Sequence, residues 1–455
     1  MKIENPANGA LVAEVVEDTP ASVAAAYERA RRAQPAWAAT PLADRLAAIK
    51  RFRNLVFANR NELALTLTRE MGKPLKQAHN ELAALPGRID FFLGHVAAVL
   101  SDESVFRQED GALEEVISHE PLGVVANVSA WNYPWFVGSN VFIPALLTGN
   151  AVLYKPSEHA TLTGQRIGQL LHEAGVPEDA FVTVVGAGAV GAAVVEQPVD
   201  GVFFTGSYAT GRRIAERVAP RMIRLQLELG GKDPTYVTDD VDVRAVAEGL
   251  ADGAMYNGGQ SCCSVERIYV HERVEQAFLD AFVDVVKGFK IGDPEAADTY
   301  IGPLARKEQL AVLDAQVADA VSQGAHLLVG GRRAPLAGTY FEPTVLGAAT
   351  NAMRVMRDES FGPIIGIGRV ADDDEAVIRM NDTEYGLTAG VYSRDTARAE
   401  RVLSRVNAGT VYVNACDRVS PRLPWTGRKH SGIGSTLSTY GIRAFLQPKA
   451  WHKKR

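Results

Sequence analysis

The sequence predicts an α/β fold with two parallel-sheet domains, a small β-hairpin and a C-terminal tail. Two series of short, apolar, β-rich runs alternate with helical segments, one series before Gly230 and one after it. This alternation is typical of parallel sheets whose strands are connected by helices. The chain of 455 residues is also longer than one usual hydrophobic core, which favours more than one domain.

The first hundred residues are predicted to be helical. Thr19-Pro20 and Thr40-Pro41 each combine a capping residue with a proline at the first helical position. The segments after them carry apolar residues at helical spacing, as in the run from Leu46 to Val56. Residues 113–119 then predict a strand, which belongs to a hairpin or an extended arm.

The stretch from Pro121 to Tyr154 contains no charged residue, which raises the question of a membrane span. Asparagines, glycines and prolines interrupt it throughout, and such polar groups and helix breakers are costly in lipid. It also lacks the run of roughly 18 purely apolar residues that a span requires. The stretch is therefore predicted to be buried core, and no membrane partner is expected.

The two series of strands define the predicted domains. Residues 1–102 and 122–229 are assigned to the first domain, residues 230–436 to the second, and residues 103–121 and 437–455 to an arm. Residues 445–452 have no obvious place in either large sheet and are expected to dock on a neighbour. The predicted strands are Val124–Val128, Ala151–Lys155, Val182–Val185, Val202–Thr205, Thr235–Val237, Arg267–His271, His326–Val329, Leu387–Val391 and Thr410–Asn414.

Composition limits the possible partners and compartments. A net charge of −6 gives no reason to expect a nucleic-acid partner, which would require a basic face. Three cysteines, two of them adjacent, do not form a disulfide framework and suit a reducing compartment. The first six residues lack the apolar core of a signal peptide, so a cytoplasmic protein is expected.

The adjacent cysteines lie in polar, turn-forming sequence. Cys262 and Cys263 follow Asn257-Gly258-Gly259-Gln260-Ser261, where solvent or substrate can reach a thiol. Inert structural cysteines usually stand alone among aliphatic residues. Glu228, at the junction of the predicted domains, is the candidate base. The pattern predicts a cysteine nucleophile and a glutamate base that meet across an interdomain cleft.

Three glycine-rich or polar loops are candidates for binding a nucleotide. Gly186–Gly191 fits the G-x-G-x-x-G pattern after a strand, but no acidic residue follows at the expected distance of about 20 positions. These glycines either contact a cofactor or only pack a helix on the sheet. Lys155–Glu158 and Gly206–Gly211 also follow strands, where ligands of α/β proteins bind. Each of these loops is alternatively a simple capped turn.

Six motifs in order resemble the aldehyde dehydrogenase superfamily, over nearly the whole chain. The resemblance implies Rossmann-like parallel-sheet domains, of which the first binds a dinucleotide and the second carries the catalytic cysteine, with an arm for oligomerisation. It also implies a homodimer or a homotetramer. The motifs are Ala130–Trp135, Lys155–Glu158, Phe204–Ser207, Glu228–Lys232, Gly259–Cys262 and Glu359–Pro363.

The resemblance implies a catalytic role for three residues. Cys262 matches the nucleophile that adds to the aldehyde carbon and forms a thiohemiacetal. The side chain of Asn132 and the backbone N–H of Cys262 would stabilise its oxyanion. Glu228 would activate the water that hydrolyses the later thioester to a free acid.

The coenzyme implied by the resemblance is NAD, with NADP possible. Glu158 would hydrogen-bond the ribose hydroxyls and repel a 2′-phosphate, although Ser157 or Lys155 could accept a phosphate if Glu158 swung aside. The implied cofactor-binding residues are Ser129, Trp131, Lys155, Ser157, Glu158, Gly188, Gly206, Ser207, Gly211, Leu229, Glu359 and Phe361.

The resemblance also implies an aromatic substrate tunnel. If Arg418 points inward, an ω-carboxylated semialdehyde becomes a plausible substrate; the favoured interpretation instead pairs Arg418 with Asp417 or with solvent. The chain departs from the family pattern at Val141, where many members have a lysine, and at Thr426–Lys429. The implied tunnel residues are Tyr133, Trp135, Val137, Ser261, Cys263, Arg418, Val419 and Trp425.

Other functions are less favoured by the sequence. Members that make acyl-CoA generally lack the general-base glutamate, whereas this chain has Glu228. A thioesterase without NAD would have no use for Glu359 or Lys155. A non-catalytic structural member would usually lack catalytic residues that are present here. A metal site at the cysteine pair is disfavoured, because no histidine or cysteine ligands stand at the recognised zinc spacings.

Overall fold

The computed structural model describes residues 1–454 and confirms the predicted α/β class. Two large, mainly parallel sheets of six and seven strands form the body of the molecule. A two-stranded hairpin lies at the N-terminus, and a separate three-stranded sheet lies beside the body.

The N-terminal region begins with a short hairpin and continues as four helices. Helix α1 begins as the sequence predicts, because Thr19 and Ser22 form a reciprocal capping box. Thr40 does not cap α2; its hydroxyl donates to the carbonyl of Ala36 instead. The elements are β1 (Lys2–Glu4), β2 (Leu11–Glu14), α1 (Pro20–Ala39), α2 (Leu42–Ala58), α3 (Arg60–Met71) and α4 (Leu75–Leu100).

Helix α4 is the one helix within residues 1–454 that is long and apolar enough, by length and composition alone, to cross a membrane. Its buried residues recur every three or four positions and include the charged side chains of Glu81 and Arg88. That stripe packs into the same core as α2, α3 and the next helix along the chain. The pattern is that of a core helix with one solvent-facing side.

The first large sheet contains the four predicted strands and two that the sequence pattern missed. Its order is β17-β9-β8-β5-β6-β7, and its strands are parallel except for the short edge strand β17 (Gly432–Ile433). The elements before and within it are β3 (Glu103–Arg107), β4 (Leu113–Pro121), β5 (Val124–Val128), α5 (Pro134–Leu147), β6 (Ala151–Lys155), α6 (Thr161–Glu173), β7 (Phe181–Thr183), α7 (Gly188–Glu196), β8 (Gly201–Thr205), α8 (Tyr208–Val218) and β9 (Arg224–Glu228).

The uncharged stretch that begins at Pro121 forms the centre of this domain. Strands β5 and β6 are buried along their whole length, and α5 is buried on nearly every side. A parallel strand covered by helices on both faces is apolar throughout, which accounts for the absence of charge. The prediction of buried core is correct.

The second large sheet has the order β12-β13-β14-β11-β10-β15-β16, and only β12 is antiparallel to its neighbour. Its elements are β10 (Asp233–Val237), α9 (Val243–Met255), β11 (Val265–His271), α10 (Glu275–Lys287), α11 (Gln309–Ser322), β12 (His326–Val329), β13 (Thr344–Gly347), α12 (Arg354–Arg357), β14 (Ile364–Val370), α13 (Asp373–Asn381), β15 (Thr388–Tyr392), α14 (Thr396–Leu403) and β16 (Thr410–Val413).

Four strands of the two large sheets were not predicted, for local reasons. Strand β9 carries charged or polar residues at three of its five positions, whereas β13 has only four residues and β17 only two. Strand β14 contains two glycines, which weaken a strand pattern. Gly366 has a packing role there, since an added Cβ would lie 2.4 Å from the sulfur of Met356 on α12.

The C-terminal segment returns to the first domain and then completes the arm. Leu437, Ile442 and Phe445, around α15 (Ser438–Arg443), are buried in the first domain's core. Strand β18 (Leu446–Lys454) pairs antiparallel with β4 over its full length, in the order β18-β4-β3. The tail thus lies outside both large sheets, as predicted, and its partner within the chain is the predicted arm.

A buried ion pair fixes the start of α5 against α4. Lys73 and Glu81 are both fully buried, with 2.5 Å between Nζ and Oε2. The other oxygen of Glu81 accepts the backbone N–H of Trp135 at 3.0 Å. The Lys73 ammonium also lies 3.7 Å from the ring centroid of Tyr133. This ion pair therefore holds together the segment before α4, helix α4 itself and the start of α5.

Replacing Lys73 by methionine is expected to destabilise the protein by about 3–5 kcal/mol, because it leaves the buried Glu81 carboxylate without its counter-charge. Denaturant unfolding would measure the loss. Arg212→Met is the matched control, since it removes one member of an exposed pair with Glu216 and should change stability little. Equal effects of the two substitutions would contradict this role for Lys73.

Candidate active site

A large cavity lies between the carboxyl edge of the first large sheet and the amino edge of the second. Its wall contains residues that follow β5, β8 and β9 and residues that precede β10, β11 and β14. The cavity volume is about 920 Å³. Ligands of α/β proteins bind beyond the carboxyl ends of the strands, which is the edge that the first sheet contributes. Of the residues predicted from sequence, the cavity wall includes Cys262, Glu228, Asn132, Trp131, Gly206, Ser207, Leu229, Glu359, Phe361, Tyr133, Val137, Ser261, Cys263, Arg418, Val419 and Trp425.

The cysteines lie on a sharply turned loop, residues 257–264, which we call the cysteine loop. Asn257, Gly258 and Gly259 are successive residues with φ of 55°, 62° and 71°. Glycine is required at 259 for a second reason, because a Cβ there would lie 2.2 Å from the carbonyl oxygen of Gly362. The cysteine loop can therefore approach the loop that carries Glu359 and Phe361.

The two thiols have different surroundings. Cys262 is partly exposed to the cavity, whereas Cys263 is buried. The sulfur of Cys263 donates to Oδ1 of Asp417 at 3.1 Å, and the hydroxyl of Ser261 donates to the same oxygen at 3.3 Å. A hydrogen bond with Cys262, burial and the nearby charge of Asp417 hold the pKa of Cys263 well above its ordinary value. Cys262 is thus the accessible thiol of the pair.

Asn132 lies beside the cysteine loop at the end of β5. Its side-chain Nδ2 donates to the backbone carbonyl of Gln260 at 3.2 Å. The backbone carbonyl of Asn132 accepts from Nδ2 of Asn257 at 3.3 Å. These two bonds orient a buried amide donor next to Cys262. A donor at that place can stabilise negative charge that develops on an oxygen bound to the cysteine adduct.

Glu228 ends β9 and borders the same cavity with only 8% of its surface exposed. Burial raises the pKa of Glu228 to about 7, against the lowering effects of a hydrogen bond from Thr436 and the positive charge of Arg88. A carboxylic acid poised near neutrality can act as a general base at physiological pH. Neither Thr436 nor Arg88 was anticipated from sequence.

Three of the predicted cofactor-binding residues, Trp131, Glu359 and Phe361, border the same cavity. The rings of Trp131 and Phe361 meet edge to face, with centroids 5.5 Å apart. Glu359 accepts the N–H of Gly231 at 3.0 Å, and burial together with the charge of Glu266 raises the pKa of Glu359 to about 8. Gly230 leaves room for this carboxylate, because a Cβ there would lie 2.4 Å from its oxygens.

Lys155, Ser157 and Glu158 lie together at the carboxyl end of β6, outside the cavity wall. The ammonium of Lys155 and the hydroxyl of Ser157 each donate to Oε2 of Glu158, at 3.3 Å. Burial opposes ionisation of Glu158, but the charges of Lys155 and His159, together with hydrogen bonds to the carboxylate, outweigh burial and lower the pKa of Glu158. Ser129 is buried after β5, and its N–H donates to the carbonyl of Lys155. An ionised carboxylate and an ammonium in one place form a donor and acceptor set that fits ribose hydroxyls.

Two predicted cofactor glycines lie away from the cavity. Gly188 opens α7, is exposed and has open space around it. The nearby N–H of Ala187 donates to Glu17 at 3.0 Å, so a carboxylate already occupies that loop. Gly211 is buried in α8, where a Cβ would lie 2.5 Å from the side chain of Leu229. Its visible role is to let α8 pack closely against the end of β9.

The predicted substrate tunnel needs one correction. Trp135 does not line the cavity; it is fully buried in the core and its backbone N–H donates to Glu81. Phe136 and Asn140 line the cavity and were missed. Helical periodicity was the available signal, because positions 133, 136, 137 and 140 share one face of α5 and position 135 points elsewhere.

Arg418 lies at the exposed mouth of the cavity. Its guanidinium donates to the backbone carbonyl of Asp417 at 3.3 Å, while the Asp417 carboxylate faces Cys263 and Ser261. Within residues 1–454 it forms no ion pair. Arg418 borders the cavity in this arrangement, and its role in binding a substrate carboxylate stays a prediction.

No group of three or more histidine, cysteine, aspartate or glutamate side chains in the described part of the chain is arranged to hold a metal ion. The wall of the cavity contains a thiol, carboxyls, an amide and aromatic rings. Together they suit covalent addition to an electrophilic carbon followed by proton transfer.

Comparison with known proteins identifies the relatives of this chain. The model of the aldehyde dehydrogenase family matches residues 1–451. A betaine aldehyde dehydrogenase of Cereibacter sphaeroides is 35% identical over 447 residues, which cover 98% of this chain and 92% of that one. A glutarate-semialdehyde dehydrogenase of Pseudomonas aeruginosa is 34% identical over 451 residues, 99% of this chain and 93% of that one.

A solved structure has the same fold along the entire chain. It is a betaine aldehyde dehydrogenase of Staphylococcus aureus in complex with NAD+ and with a BME-modified cysteine. It superimposes with a TM-score of 0.96 at 31% sequence identity and covers 100% of this chain and 94% of that one.

Treatment of the native protein with substoichiometric iodoacetamide is expected to label Cys262 before the other two thiols. Cys263 and Cys416 are buried, and their pKa values are raised, that of Cys416 to about 11 by burial, so little thiolate is available from either. Tandem mass spectrometry of the peptide locates the label. The Cys263→Ala variant should retain labelling and Cys262→Ser should lose it; prior labelling of Cys263 would contradict the assignment.

Proposed function

Because the chain belongs to the aldehyde dehydrogenase family, we propose that it oxidises an aldehyde to the free carboxylic acid through a thioester on Cys262. The protein is an oxidoreductase that acts on an aldehyde group. The observation that supports the cysteine route is the convergence of Cys262, Glu228 and Asn132 on one cavity from three separate parts of the chain.

Cys262 is the proposed nucleophile because it is the exposed thiol of the pair. Its thiolate adds to the carbonyl carbon, and the carbonyl electrons move to the oxygen. The amide of Asn132 and the N–H of Cys262 are the proposed donors to that oxygen. Removal of one such donor typically lowers turnover about 10²–10³-fold.

Glu228 is the proposed base for hydrolysis. In its ionised form it removes a proton from water, and the resulting hydroxide adds to the thioester carbon and expels the Cys262 thiolate. Burial supports this role because it places the pKa of Glu228 near 7, so the base form and its proton affinity are balanced at neutral pH. The presence of this base favours water rather than coenzyme A as the acyl acceptor.

NAD is the proposed coenzyme, and when bound it accepts the hydride of the thiohemiacetal. Glu359 and Phe361 are the proposed contacts at the nicotinamide end. Lys155, Ser157 and Glu158 are proposed to hold the adenosine ribose, with Ser129, Trp131, Gly206, Ser207 and Leu229 along the path between the two ends. In this proposal residues 1–102 and 122–229 form the dinucleotide-binding domain, and residues 230–436 carry the nucleophile.

The arm is proposed to join two copies of the chain. Its sheet has unpaired edges at β3 and β18, and unpaired edges readily add a further strand. Val105, Phe106 and Trp451 are large apolar side chains that this sheet exposes. Burial of these groups by a second copy supports a homodimer or a dimer of dimers.

Replacing Glu228 by glutamine is expected to lower steady-state turnover about 10²–10⁴-fold, because the hydrolytic base is lost. One equivalent of reduced coenzyme per site should still form in a pre-steady-state burst. In the wild type, turnover should fall as pH drops through about 7, where Glu228 becomes protonated. In Glu228→Gln, turnover should no longer show this decrease. If Glu228→Gln folds normally but shows no burst, a purely hydrolytic role for Glu228 is contradicted. The control Cys262→Ser should abolish both the burst and the steady-state turnover.

NAD is expected to be preferred to NADP, because Glu158 is ionised and already engages both Lys155 and Ser157. Glu158→Gln removes the like charge that would repel a 2′-phosphate, so it should raise kcat/KM for NADP by about tenfold or more. Initial rates with both coenzymes at a fixed aldehyde concentration measure the ratio. An unchanged ratio would contradict the role given to Glu158.

A further inference from the structure

A buried arginine, Arg88, forms part of the cavity wall. It lies on α4 with 6% of its surface exposed, and it borders the cavity together with Phe136 and Asn140 of α5. Its Nη1 donates to Oδ1 of Asn140 at 2.7 Å. The guanidinium carbon also lies 4.2 Å from the centre of the Phe136 ring. These two contacts hold a planar cation in one orientation at the cavity surface.

Arg88 has no ion-pair partner within residues 1–454. Its bond to Asn140 is the hydrogen bond that its side chain makes in the described chain, although a guanidinium carries five N–H donors. Burial lowers the pKa of Arg88 to about 10, so it remains a cation at neutral pH. Burying such a charge without a paired anion is costly. The cavity thus contains a standing positive charge with unused donors.

The negative groups around Arg88 are otherwise engaged. Glu81 binds Lys73 and the start of α5, and Glu228 accepts from Thr436. Asp417 accepts from Cys263 and Ser261, and burial raises its pKa to about 6. Glu228 and Glu81 nevertheless act on Arg88 through their charges, and Arg88 borders the same cavity as the catalytic groups.

The outer part of the cavity carries further positive charge. Arg306, Arg418 and Arg422 are exposed and border the cavity. Charges at an entrance attract ligands of opposite sign and raise their rate of entry. An anionic substrate would therefore meet positive charge at the mouth and again at the buried guanidinium.

We propose that Arg88 anchors a carboxylate at the end of the substrate remote from the aldehyde, so that the preferred substrates are ω-carboxylated aldehydes. This inference rests on the proposed function of the cavity, whose catalytic end is formed by Cys262 and Asn132. The guanidinium fork matches the two oxygens of a carboxylate, and Phe136 and Asn140 preorganise it. The same cation would also bind a phosphate, so the experiment compares a carboxylated aldehyde with a phosphorylated one.

The kinetic test compares matched aldehydes in Arg88→Gln and Arg88→Lys. Succinic semialdehyde is the carboxylated probe, butanal its neutral counterpart and glyceraldehyde 3-phosphate the phosphorylated one. In Arg88→Gln, kcat/KM for succinic semialdehyde should fall about 30-fold or more, mainly through KM, because a buried charge pair is lost. The value for butanal should fall far less than that for succinic semialdehyde, because butanal loses only the effect of Arg88 on the pKa of Glu228. Its remaining turnover also shows that the variant is folded, and Arg88→Lys should recover part of the selective loss.

Several kinetic outcomes would overturn the proposal. One is an equal loss for butanal and succinic semialdehyde in Arg88→Gln, which would place the effect on Glu228 or on the fold. Another is a selective loss in Arg418→Gln rather than in Arg88→Gln. A wild-type preference for the phosphorylated aldehyde would overturn the assignment of a carboxylate.

A binding test separates this inference from the proposed function. Succinate and glutarate are unreactive, and each should slow alkylation of Cys262 by iodoacetamide in the wild type but not in Arg88→Gln. Equal protection of both proteins would overturn the role of Arg88 whatever the turnover. If the wild type reduced no coenzyme with any aldehyde while this difference persisted, the proposed oxidation would fail and the anion site would stand.

Discussion

The buried carboxylate of Glu266 joins the three segments on which the active site depends. One oxygen accepts from Nζ of Lys232 at 2.6 Å and from the N–H of Ser360 at 2.8 Å; the other accepts from the N–H of Phe361 at 3.0 Å. Glu266 follows the cysteine loop on β11, Lys232 follows the segment that begins at Glu228, and Ser360 belongs to the loop after α12. The nucleophile, the proposed base and the proposed ribose contact therefore take their relative positions from one charge.

The energetic reason for such an arrangement is the cost of unpaired charge in a dry interior. Lys232 and Glu266 are both buried, and their pairing with Ser360 and Phe361 satisfies groups that would otherwise destabilise the fold. Loss of either partner would leave an isolated ion at the domain junction. Because this ion pair is costly to break, it fixes the adjacent loops in one position. Apolar contacts alone would let the loops shift relative to each other.

Burial also gives the cavity its chemical character. The same exclusion of water raises the pKa of Glu228 to about 7 and that of Glu359 to about 8, and it lowers the pKa of Arg88 to about 10. The carboxyls are thereby poised to exchange protons near neutrality, whereas the arginine keeps its charge. Perturbed groups of this kind concentrate at functional sites because the geometry that shifts them also excludes competing water.

Much of the fold could be predicted from local patterns in the sequence. Strands such as Val124–Val128 were predictable because a parallel strand covered on both faces must be apolar, and α1 was predictable because Thr19 and Pro20 define a helix start. Strand β14 was missed because its two glycines weaken a strand pattern, and the packing of Gly366 against Met356 of α12 is not visible in that pattern. Trp135 was wrongly assigned to the substrate tunnel because residues that are contiguous in a motif lie on different faces of a helix.

The sequence by itself determined the residue types of the site: a thiol in a glycine turn, a glutamate at a strand end and an amide before a proline-capped helix. These follow from local backbone requirements and from motifs that are contiguous. The tertiary structure alone decided which thiol is exposed, which carboxyls are desolvated and which arginine borders the cavity. Burial and charge pairing depend on segments far apart in the chain, as when Arg88 on α4 meets Asn140 on α5, and no local pattern encodes that meeting.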